Sequence, residues 1–374
     1  MTAPMLAGTE DHPQARIVLS SALASGPSHA YLFHGPAGVG KRTVARAFAA
    51  ELLAEGQDDP DDVRLRVEHG THPDLTWVRP SGAHQMRVED VDEPVVAAAT
   101  RTPFEGSRRV FVLERVDTLN DQAANRMLKT LEEPPEFVHL ILLTDALGRV
   151  METVVSRCQL VRFEPLPAAR IATALETEGV PAERAHACAR LALGNASRAR
   201  FLASPAGEQL RADVENVVAS ALSGDRGAEP WRPLLERAEQ RRLEAEDAAA
   251  TERIKRLELE PKGRERRAIE RELEEAARRD GRRARTEVLD LALGLTGLAF
   301  RDLVCLAEDA PDAVLADHRS GPLAEQARGR DPRRLREAAE RCEDVRQALE
   351  LNVMEDLALV ALGFRLTALV GAPS

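Results

Sequence analysis

The stretch AYLFHGPAGVGKR, residues 30–42, decides the fold. It begins with a short apolar run, Ala30 to His34, then passes through a glycine-rich segment into a helical pattern. A continuous apolar run of this length is typical of a strand buried on both faces, as in a parallel sheet. The segment that follows has the spacing Gly-x4-Gly-Lys between a strand and a helix, which predicts a phosphate-binding loop.

The candidate nucleotide-binding residues of this loop are Gly35, Gly38, Gly40 and Lys41. Glycines let backbone N–H groups close around phosphate, and the helix N-terminus adds a positive dipole. The next position should carry a Ser or Thr hydroxyl that binds Mg²⁺, but it is Arg42. Thr43 lies one residue later, and one residue turns a side chain by about 100° around a helix. The loop can therefore hold a phosphate, but it lacks the usual magnesium ligand.

A second apolar run, Val110 to Leu113, ends where a P-loop ATPase places an Asp-Glu pair. The Asp supports Mg²⁺, and the Glu polarises the attacking water. Here the pair is Glu114 and Arg115. A guanidinium stays cationic at any working pH and cannot accept the proton of water. Two defects in the same catalytic chemistry predict poor hydrolysis. A structure with Arg115 far from the phosphate loop and another acid poised beside Lys41 would overturn this prediction.

The chain divides into an alternating part and a helical part. Apolar runs such as Leu140 to Leu143 alternate with helical patterns, which predicts a doubly wound α/β domain. The helical patterns are Arg42 to Leu53, Val88 to Ala99 and Asp121 to Leu131. No strand pattern appears after Pro165 and Pro167. The predicted domains are an α/β domain at 1–165, a small helical domain at 166–205 and a helical domain at 206–374.

Two segments of the helical part leave alternatives open. Residues 236–285 are dense in Glu and Arg, are broken by Pro261 and Gly263, and predict a helical hairpin. Its thin apolar seam is Ile269, Leu273, Ala276 and Ala277. The hairpin is either a solvated projection or an arm that binds a partner or DNA. The segment Leu351 to Leu366 is apolar around much of a helix, which indicates burial inside the domain or against another subunit.

Composition excludes several classes of protein. Hydrophobic residues make up 44% and aromatic residues 3%, so the core must be built mainly from Ala, Val and Leu. The net charge of −11 argues against a surface that binds nucleic acid throughout. The four cysteines are scattered, which indicates a reducing cytoplasm and neither a disulfide framework nor a metal cluster. No signal peptide or membrane span is expected.

The segment AANRMLKTLEEPP, Ala123 to Pro135, closely resembles the signature of the bacterial DNA polymerase III clamp-loader AAA+ subunits. Flanking pieces agree in order, namely SHAYLFHGPAGVGKR, HGTHPDL, VFVLERVDTLN and LILLTDALGRVMETVVSRC. The resemblance is dense over residues 28–165 and rests beyond them on domain order and helical character. It implies an AAA+ domain, a small helical lid and a helical collar that holds five subunits in an open ring.

Within this family, Arg42 and Arg115 make the chain resemble the delta-prime type, whose ATPase residues are broken. The segment Ser156 to Cys158 matches the SRC motif of the family. The resemblance implies that Arg157 acts as an arginine finger, stabilising charge on the γ-phosphate of a neighbouring subunit. Cys158 is expected to be a small buried residue without reactivity.

Other family features are present in part. Thr144, after the run Leu140 to Leu143, resembles the sensor-one position. In the segment that resembles the sensor-two region, Ser197 stands at the position where an arginine is expected, and Arg198 comes one residue later. The four-cysteine zinc module of the family is missing, since Glu51 to His69 contains no cysteine. No zinc is expected, because three histidines do not restore the site, namely His69, His72 and His84.

The resemblance implies a non-catalytic subunit of the cytoplasmic DNA polymerase III holoenzyme that supports loading of the sliding clamp. The implied partners are the gamma/tau ATPase subunits and the delta subunit in a hetero-pentamer, with the clamp and primer-template DNA reached through the complex. No cofactor is required, and ATP or ADP at Lys41 stays open. One alternative is an active gamma/tau-like ATPase, which Arg42 and Arg115 disfavour. Another is DNA binding through Arg278 to Arg285, which the acidic total disfavours.

Overall fold

The computed structural model of the chain describes residues 6, 8–80, 85–225, 229–258, 264–316, 320–349 and 353–371. The chain folds as two compact units. The first comprises Met1–Pro167 and Gly194–Ser197, and the second comprises Ala168–Leu193 and Arg198–Ser374. A separate lid over 166–205 and a collar over 206–374 stay predictions.

The first unit contains a five-stranded parallel sheet, as the alternating pattern predicts. Its strands are β1 Ala30–His34, β2 Leu75–Val78, β3 Arg109–Leu113, β4 Val138–Thr144 and β5 Gln159–Arg162. Their order in the sheet is β2-β3-β4-β1-β5. β1 lies between β4 and β5, with His34 opposite Thr144 and Arg162. The ends of β1 and β4 therefore meet at the edge where the glycine-rich loop begins.

Two of these strands lie at the sheet edges and escaped the sequence pattern. β2 and β5 are each four residues long, and most of their side chains are partly or fully exposed. The three runs that were predicted as strands form β1, β3 and β4, whose side chains are almost all buried. Continuous apolar runs thus mark only the strands that are covered on both faces.

The helices of the first unit are α1 Pro13–Ser25, α2 Lys41–Ala54, α3 Pro60–Glu68, α4 Val88–Val91, α5 Asp121–Glu132 and α6 Glu152–Val155. The helical pattern predicted from Val88 to Ala99 forms helical backbone, but not one continuous α-helix. After α4 the chain continues as a π-helix, Asp92–Ala97, and then as a 3-10 helix, Ala98–Thr100. Pro94 has no backbone N–H and crowds the preceding turn, so the regular α-helical hydrogen bonds cannot continue through it.

The two faces of the sheet are covered by separate hydrophobic clusters. One contains Tyr31 and Phe33 of β1, Phe48 of α2 and Phe163 after β5. The Tyr31 and Phe48 rings pack edge to face at 5.0 Å. The other cluster contains Leu32 with residues of β3, β4 and α5. Aliphatic residues fill most of both clusters, but the few aromatic residues supply their largest buried side chains.

His139 on β4 predicts a pH dependence of stability. Its side chain is buried, with Nδ1 3.0 Å from the Ser28 carbonyl oxygen. Burial lowers the pKa of His139 to about 4. In the unfolded chain the pKa is about 6.5, so the unfolded state binds more protons between those values. The free energy of unfolding should therefore fall as the pH falls from about 6.5 to about 4.

We expect His139→Gln to flatten this pH dependence of the free energy of unfolding. Urea unfolding at about pH 7, 5.5 and 4.5 covers most of that pH range and measures the change. Burial also lowers the pKa values of His34 and His72, so a residual slope of the same sign should remain. His186→Gln is the matched control, because that imidazole is exposed. An equal slope in the wild type and in His139→Gln would contradict the assignment.

The C-terminal part is helical in the residues that the structure describes. Its helices are α7 Ala168–Thr177, α8 Ala182–Leu191, α9 Ala196–Ala203, α10 Pro205–Ser223, α11 Arg232–Glu258, α12 Arg264–Ala307, α13 Ser320–Ala327, α14 Pro332–Leu349 and α15 Glu355–Val370. Across the described ranges, no helix has both the length and the apolar character needed to cross a membrane.

α11 and α12 pack side by side over the charged segment. Arg285 of α12 lies 2.7 Å from Glu239 of α11 and 2.5 Å from Glu355 of α15, so one guanidinium joins three helices. Pro261 and Gly263, predicted to break the segment, lie outside the described residues, as does the side chain of Ile269. The role of this helical pair, as a projection or as a binding arm, stays open.

α15 carries both a buried and an exposed apolar face. Leu359, Leu362 and Leu366 are buried, whereas Leu357 is 62% exposed and Phe364 is 48% exposed. The Trp231 ring packs over Gly363, where an added Cβ would lie 2.1 Å from the ring. Burial inside the unit therefore accounts for one side of the helix, and the first residues of the predicted segment, 351–352, lie outside the described ranges.

Candidate nucleotide site and arginine finger

The glycine-rich loop connects β1 to α2 and needs glycine for two reasons. Gly35, Gly38 and Gly40 all have positive φ, at 143°, 71° and 104°. A Cβ at Gly35 would lie 2.1 Å from the Phe163 carbonyl oxygen, and one at Gly38 would lie 1.9 Å from Asn195 Oδ1. The predicted glycines thus form a tight loop at the N-terminus of α2.

Lys41, the first residue of α2, is held inside this loop. Its side chain is 6% exposed, and Nζ lies 2.7 Å from Asp145 Oδ1. Nζ also donates to the carbonyl oxygens of Gly35 and Pro36, each at 2.5 Å. Burial lowers the pKa of Lys41, and Asp145 acts against that change. The three N–H donors of the ammonium therefore have three oxygen acceptors, and a phosphate must displace at least one of them.

Glu114 lies at the end of β3 and is 1% exposed. Oε1 accepts hydrogen bonds from Trp77 Nε1 at 2.6 Å and Arg79 Nε at 3.1 Å. Oε2 forms an ion pair with Arg42 Nη2, in close contact but without the alignment of a hydrogen bond. The side chain that replaces the magnesium-binding hydroxyl thus neutralises the carboxylate expected on the metal side. Both positions were predicted from the sequence, but their pairing was not.

The residues of this loop do not fit a magnesium ion. Mg²⁺ requires near-octahedral oxygen ligands and is usually held by one or two carboxylates, phosphates and water. Arg42 supplies no oxygen, and both oxygens of Glu114 face N–H donors. Elsewhere in the described part of the chain, no three His, Cys, Asp or Glu residues cluster as a metal site would require. The absence of zinc stays a prediction.

Thr144 lies at the end of β4, opposite His34 of β1. It is 1% exposed, and Oγ1 donates to Asp117 Oδ1 at 2.8 Å and accepts from the backbone N–H of Ala146 at 3.0 Å. Asp145 follows it and is the acid that pairs with Lys41. An acid other than Glu114 therefore does lie beside Lys41, and this keeps intrinsic hydrolysis as a second candidate activity.

Arg115 follows β3 in a left-handed backbone conformation, with φ of 55°. Non-glycine residues rarely adopt this conformation, and it tends to occur where the surrounding structure enforces it. The Arg115 carbonyl oxygen accepts from both the backbone N–H and the hydroxyl of Thr118. The position of the catalytic carboxylate thus lies in a strained turn and carries no carboxylate.

Asp74 explains the HPDL segment before β2. Its side chain is fully buried, and Oδ1 accepts from the Phe104 N–H at 2.7 Å. Oδ2 accepts from the N–H groups of Glu105 and Gly106 at 3.0 and 3.4 Å. One carboxylate thus binds three consecutive N–H groups of the loop before β3, so Asp74 has a structural role.

Arg157, at the end of α6, is fixed by contacts within its own unit. Nη1 donates to the Thr153 carbonyl oxygen at 2.9 Å and to Ser156 Oγ at 3.2 Å. Nη2 donates to Glu132 Oε1 at 2.6 Å, and the arginine side chain is 34% exposed. Glu132 belongs to the LEEPP part of the signature, so that part positions the candidate finger. Burial raises the pKa of Cys158 to about 12, which keeps its thiol protonated.

The sensor-two region is split between the two units. Gly194–Ser197 belong to the first unit, where the Ala196 N–H donates to the Gly38 carbonyl oxygen at 3.2 Å. Arg198 belongs to the second unit, and burial lowers its pKa although Asp290 opposes the change. The backbone of Gly194–Ser197 therefore contacts the glycine-rich loop, and the sequence pattern did not predict this contact.

Residues 12–167 match the family described as DNA polymerase III, delta subunit. These residues, less than half of the chain, are thus similar to that family. The match includes the glycine-rich loop, β1 to β5 and the SRC motif, all of which lie in the first unit. In this chain, the signature segment at Ala123 to Pro135 contains most of α5 and the carboxylate that binds Arg157.

Three curated relatives are similar to part of the chain. The chain is 35% identical to DNA polymerase III subunit delta' of Pseudomonas aeruginosa, over 54% of this chain and 64% of that protein. It is 34% identical to the delta' subunit of Bacillus subtilis, over 37% and 43%. It is 33% identical to the gamma subunit of Buchnera aphidicola, over 35% and 37%. The chain thus spans less than two thirds of each of these curated relatives.

Some of the site residues that sequence reasoning missed had a partial signal in the sequence. Asp145 comes two residues after the apolar run Leu140 to Leu143, and the ends of neighbouring parallel strands meet at one edge of a sheet. Trp77 and Arg79 flank the end of β2, which was itself missed because it is half exposed. Nothing in the local pattern pointed to Gly194–Ser197, because their contact with the glycine-rich loop spans more than 150 residues.

Proposed function

We propose that this chain is a non-catalytic subunit of the delta-prime type in the DNA polymerase III clamp loader. It supports loading of the sliding clamp onto primed DNA and supplies Arg157 to a neighbouring ATPase subunit. The observation that carries this proposal is the ion pair between Arg42 and Glu114. It neutralises the carboxylate that an active subunit needs for Mg²⁺, and Arg115 replaces the water-activating acid. The delta' relatives support the assignment of type.

The finger role rests on the chemistry and setting of Arg157. A guanidinium is always charged and presents a planar fork of donors that suits phosphate oxygens. Its contacts with Thr153, Ser156 and Glu132 hold the side chain in one direction, and 34% of it stays accessible. Supplying a charge to a neighbour requires no ATPase chemistry in the donor, so an inactive loop and an intact SRC motif are compatible.

The partners follow from the same assignment. We infer a hetero-pentamer in the cytoplasm with gamma/tau ATPase subunits and a delta subunit, as part of the polymerase holoenzyme. The clamp and primer-template DNA are reached through the complex. Residues 166–205 then serve as the lid and residues 206–374 as the collar. The exposed apolar side chains of α15, Leu357 and Phe364, are available for packing in that collar.

Intrinsic ATP hydrolysis is the second candidate. Asp145 places a carboxylate 2.7 Å from Lys41 Nζ, and it is 48% exposed, so it could reach a water molecule if the lysine released it for phosphate. A gamma subunit is also among the relatives. Against this candidate, Glu114 is already paired with Arg42, which leaves the metal position without a carboxylate.

Steady-state ATP turnover separates the two functions. We expect the purified chain to show no turnover above that of its Lys41→Ala variant, because Arg42 pairs with the carboxylate of the metal side and Arg115 replaces the water-activating acid. Added to purified gamma/tau and delta subunits with clamp and primed DNA, the chain should raise turnover by the complex. Hydrolysis by the isolated chain that both Lys41→Ala and Asp145→Asn abolish would contradict the proposal and establish the second candidate.

A further inference from the structure

The ion pair between Arg42 and Glu114 has a consequence for what the glycine-rich loop binds. We propose that the guanidinium of Arg42 replaces the magnesium ion, so that the loop binds a nucleoside diphosphate free of metal and Mg²⁺ weakens this binding. The inference rests on the proposed loss of ATPase function at this loop. The proposal is based on the position of Arg42. This residue stands where a P-loop has the hydroxyl ligand of Mg²⁺, and its charge pairs with Glu114, the carboxylate expected near the metal.

Glu114 is a rigid anchor for this cation. It is buried at the end of β3, and hydrogen bonds from Trp77 and Arg79 fix one of its oxygens. The other oxygen faces Arg42 Nη2. The Arg42 side chain remains accessible to a ligand, since it is 55% exposed. A guanidinium has five N–H donors in a planar fork, so a contact through Nη2 leaves other donors able to reach phosphate oxygens.

The rest of the loop suits a small phosphate chain. Gly35, Gly38 and Gly40 have the positive φ values that let backbone N–H groups turn toward an anion. Lys41 adds a second cation at the start of α2. Its present partner Asp145 is 48% exposed, so water can solvate that carboxylate when a phosphate takes its place on Nζ. Two fixed cations and the backbone N–H groups then surround the ligand.

Charge selects the ligand. A guanidinium carries one positive charge, whereas Mg²⁺ carries two, so this site compensates less negative charge than an ordinary P-loop. A diphosphate has one negative charge fewer than a triphosphate and is therefore the better match. A metal-bound nucleotide would bring a dication against Arg42, and the two cations would repel each other. The sign of the magnesium effect is thus the opposite of that in a P-loop with a hydroxyl ligand.

The test is calorimetric titration of the purified full chain with ADP, in EDTA and in excess Mg²⁺. We expect the wild type to bind in EDTA and to bind at least about tenfold more weakly with Mg²⁺, as the loss of one charge-assisted contact would produce. Arg42→Thr restores the hydroxyl and should reverse the sign, so that Mg²⁺ strengthens binding. Arg42→Lys keeps a cation and should keep the wild-type sign.

Arg101→Thr makes the same chemical change at an exposed arginine outside the loop and should leave the titrations unchanged. Thermal unfolding of each variant checks folding, and the wild-type comparison with and without Mg²⁺ decides the question even if Arg42→Thr fails to fold. Absence of ADP binding in both buffers, or stronger wild-type binding with Mg²⁺, would overturn the inference. Neither result bears on the finger, which is tested at Arg157 in the reconstituted complex.

Discussion

Arg157→Ala should reduce ATP hydrolysis at the neighbouring site about 10³-fold, the lower end of what an arginine finger contributes. The physical reason is that charge builds on the γ-phosphoryl oxygens during transfer, and methyl replaces the guanidinium that stabilises it. The measurement is single-turnover hydrolysis by the complex reconstituted with gamma/tau, delta, clamp and primed DNA. Gel filtration should show that the variant still assembles, because the substitution removes a charge and not a folded element.

Two further variants make this result specific. Arg162→Ala removes an exposed arginine of β5, 3.5 Å from Glu164, and should leave turnover unchanged. Glu132→Gln removes the charge that fixes Arg157 Nη2, but the contacts with Thr153 and Ser156 remain, so a smaller loss is expected. If Arg157→Ala hydrolyses ATP at the wild-type rate in an assembled complex, the finger assignment is wrong.

Asp74→Ala should lower the free energy of unfolding of the first unit by about 3 kcal/mol. The carboxylate accepts from the N–H groups of Phe104, Glu105 and Gly106, and its loss leaves these donors without their acceptor. A buried donor without a partner costs about 1–3 kcal/mol. Phe104 is 72% exposed, so water can reach part of the loop and reduce the total. Urea unfolding followed by circular dichroism measures the change.

Glu105→Ala is the matched control for Asp74. That carboxylate belongs to the same loop, but it is 43% exposed and its ion pair with Arg66 is a surface contact, which is worth little. Asp74→Asn keeps an oxygen acceptor, so its loss in the free energy of unfolding should lie between the losses of Asp74→Ala and Glu105→Ala. If Asp74→Ala and Glu105→Ala lose the same stability, the buried carboxylate does not hold the loop.

Local patterns were sufficient for the sheet interior and for the glycines and the lysine of the loop. β1, β3 and β4 were predicted because strands covered on both faces must be apolar along their length. The glycine spacing and Lys41 were predicted because a tight phosphate loop needs positive φ and a cation. The patterns failed at β2 and β5, which are half exposed. At Val88 to Ala99 they predicted helix but not the change of helix type, where Pro94 interrupts a regular α-helix.

By itself, the amino-acid sequence determined that this chain has a glycine-rich loop without a hydroxyl ligand, an arginine in the place of a catalytic acid, and an SRC motif. Only the tertiary structure decided that Arg42 pairs with Glu114, that Asp145 pairs with Lys41 and that Glu132 holds Arg157. The reason is that charge acts through space. Residues far apart in the chain interact only after the order β2-β3-β4-β1-β5 brings the ends of separate strands together.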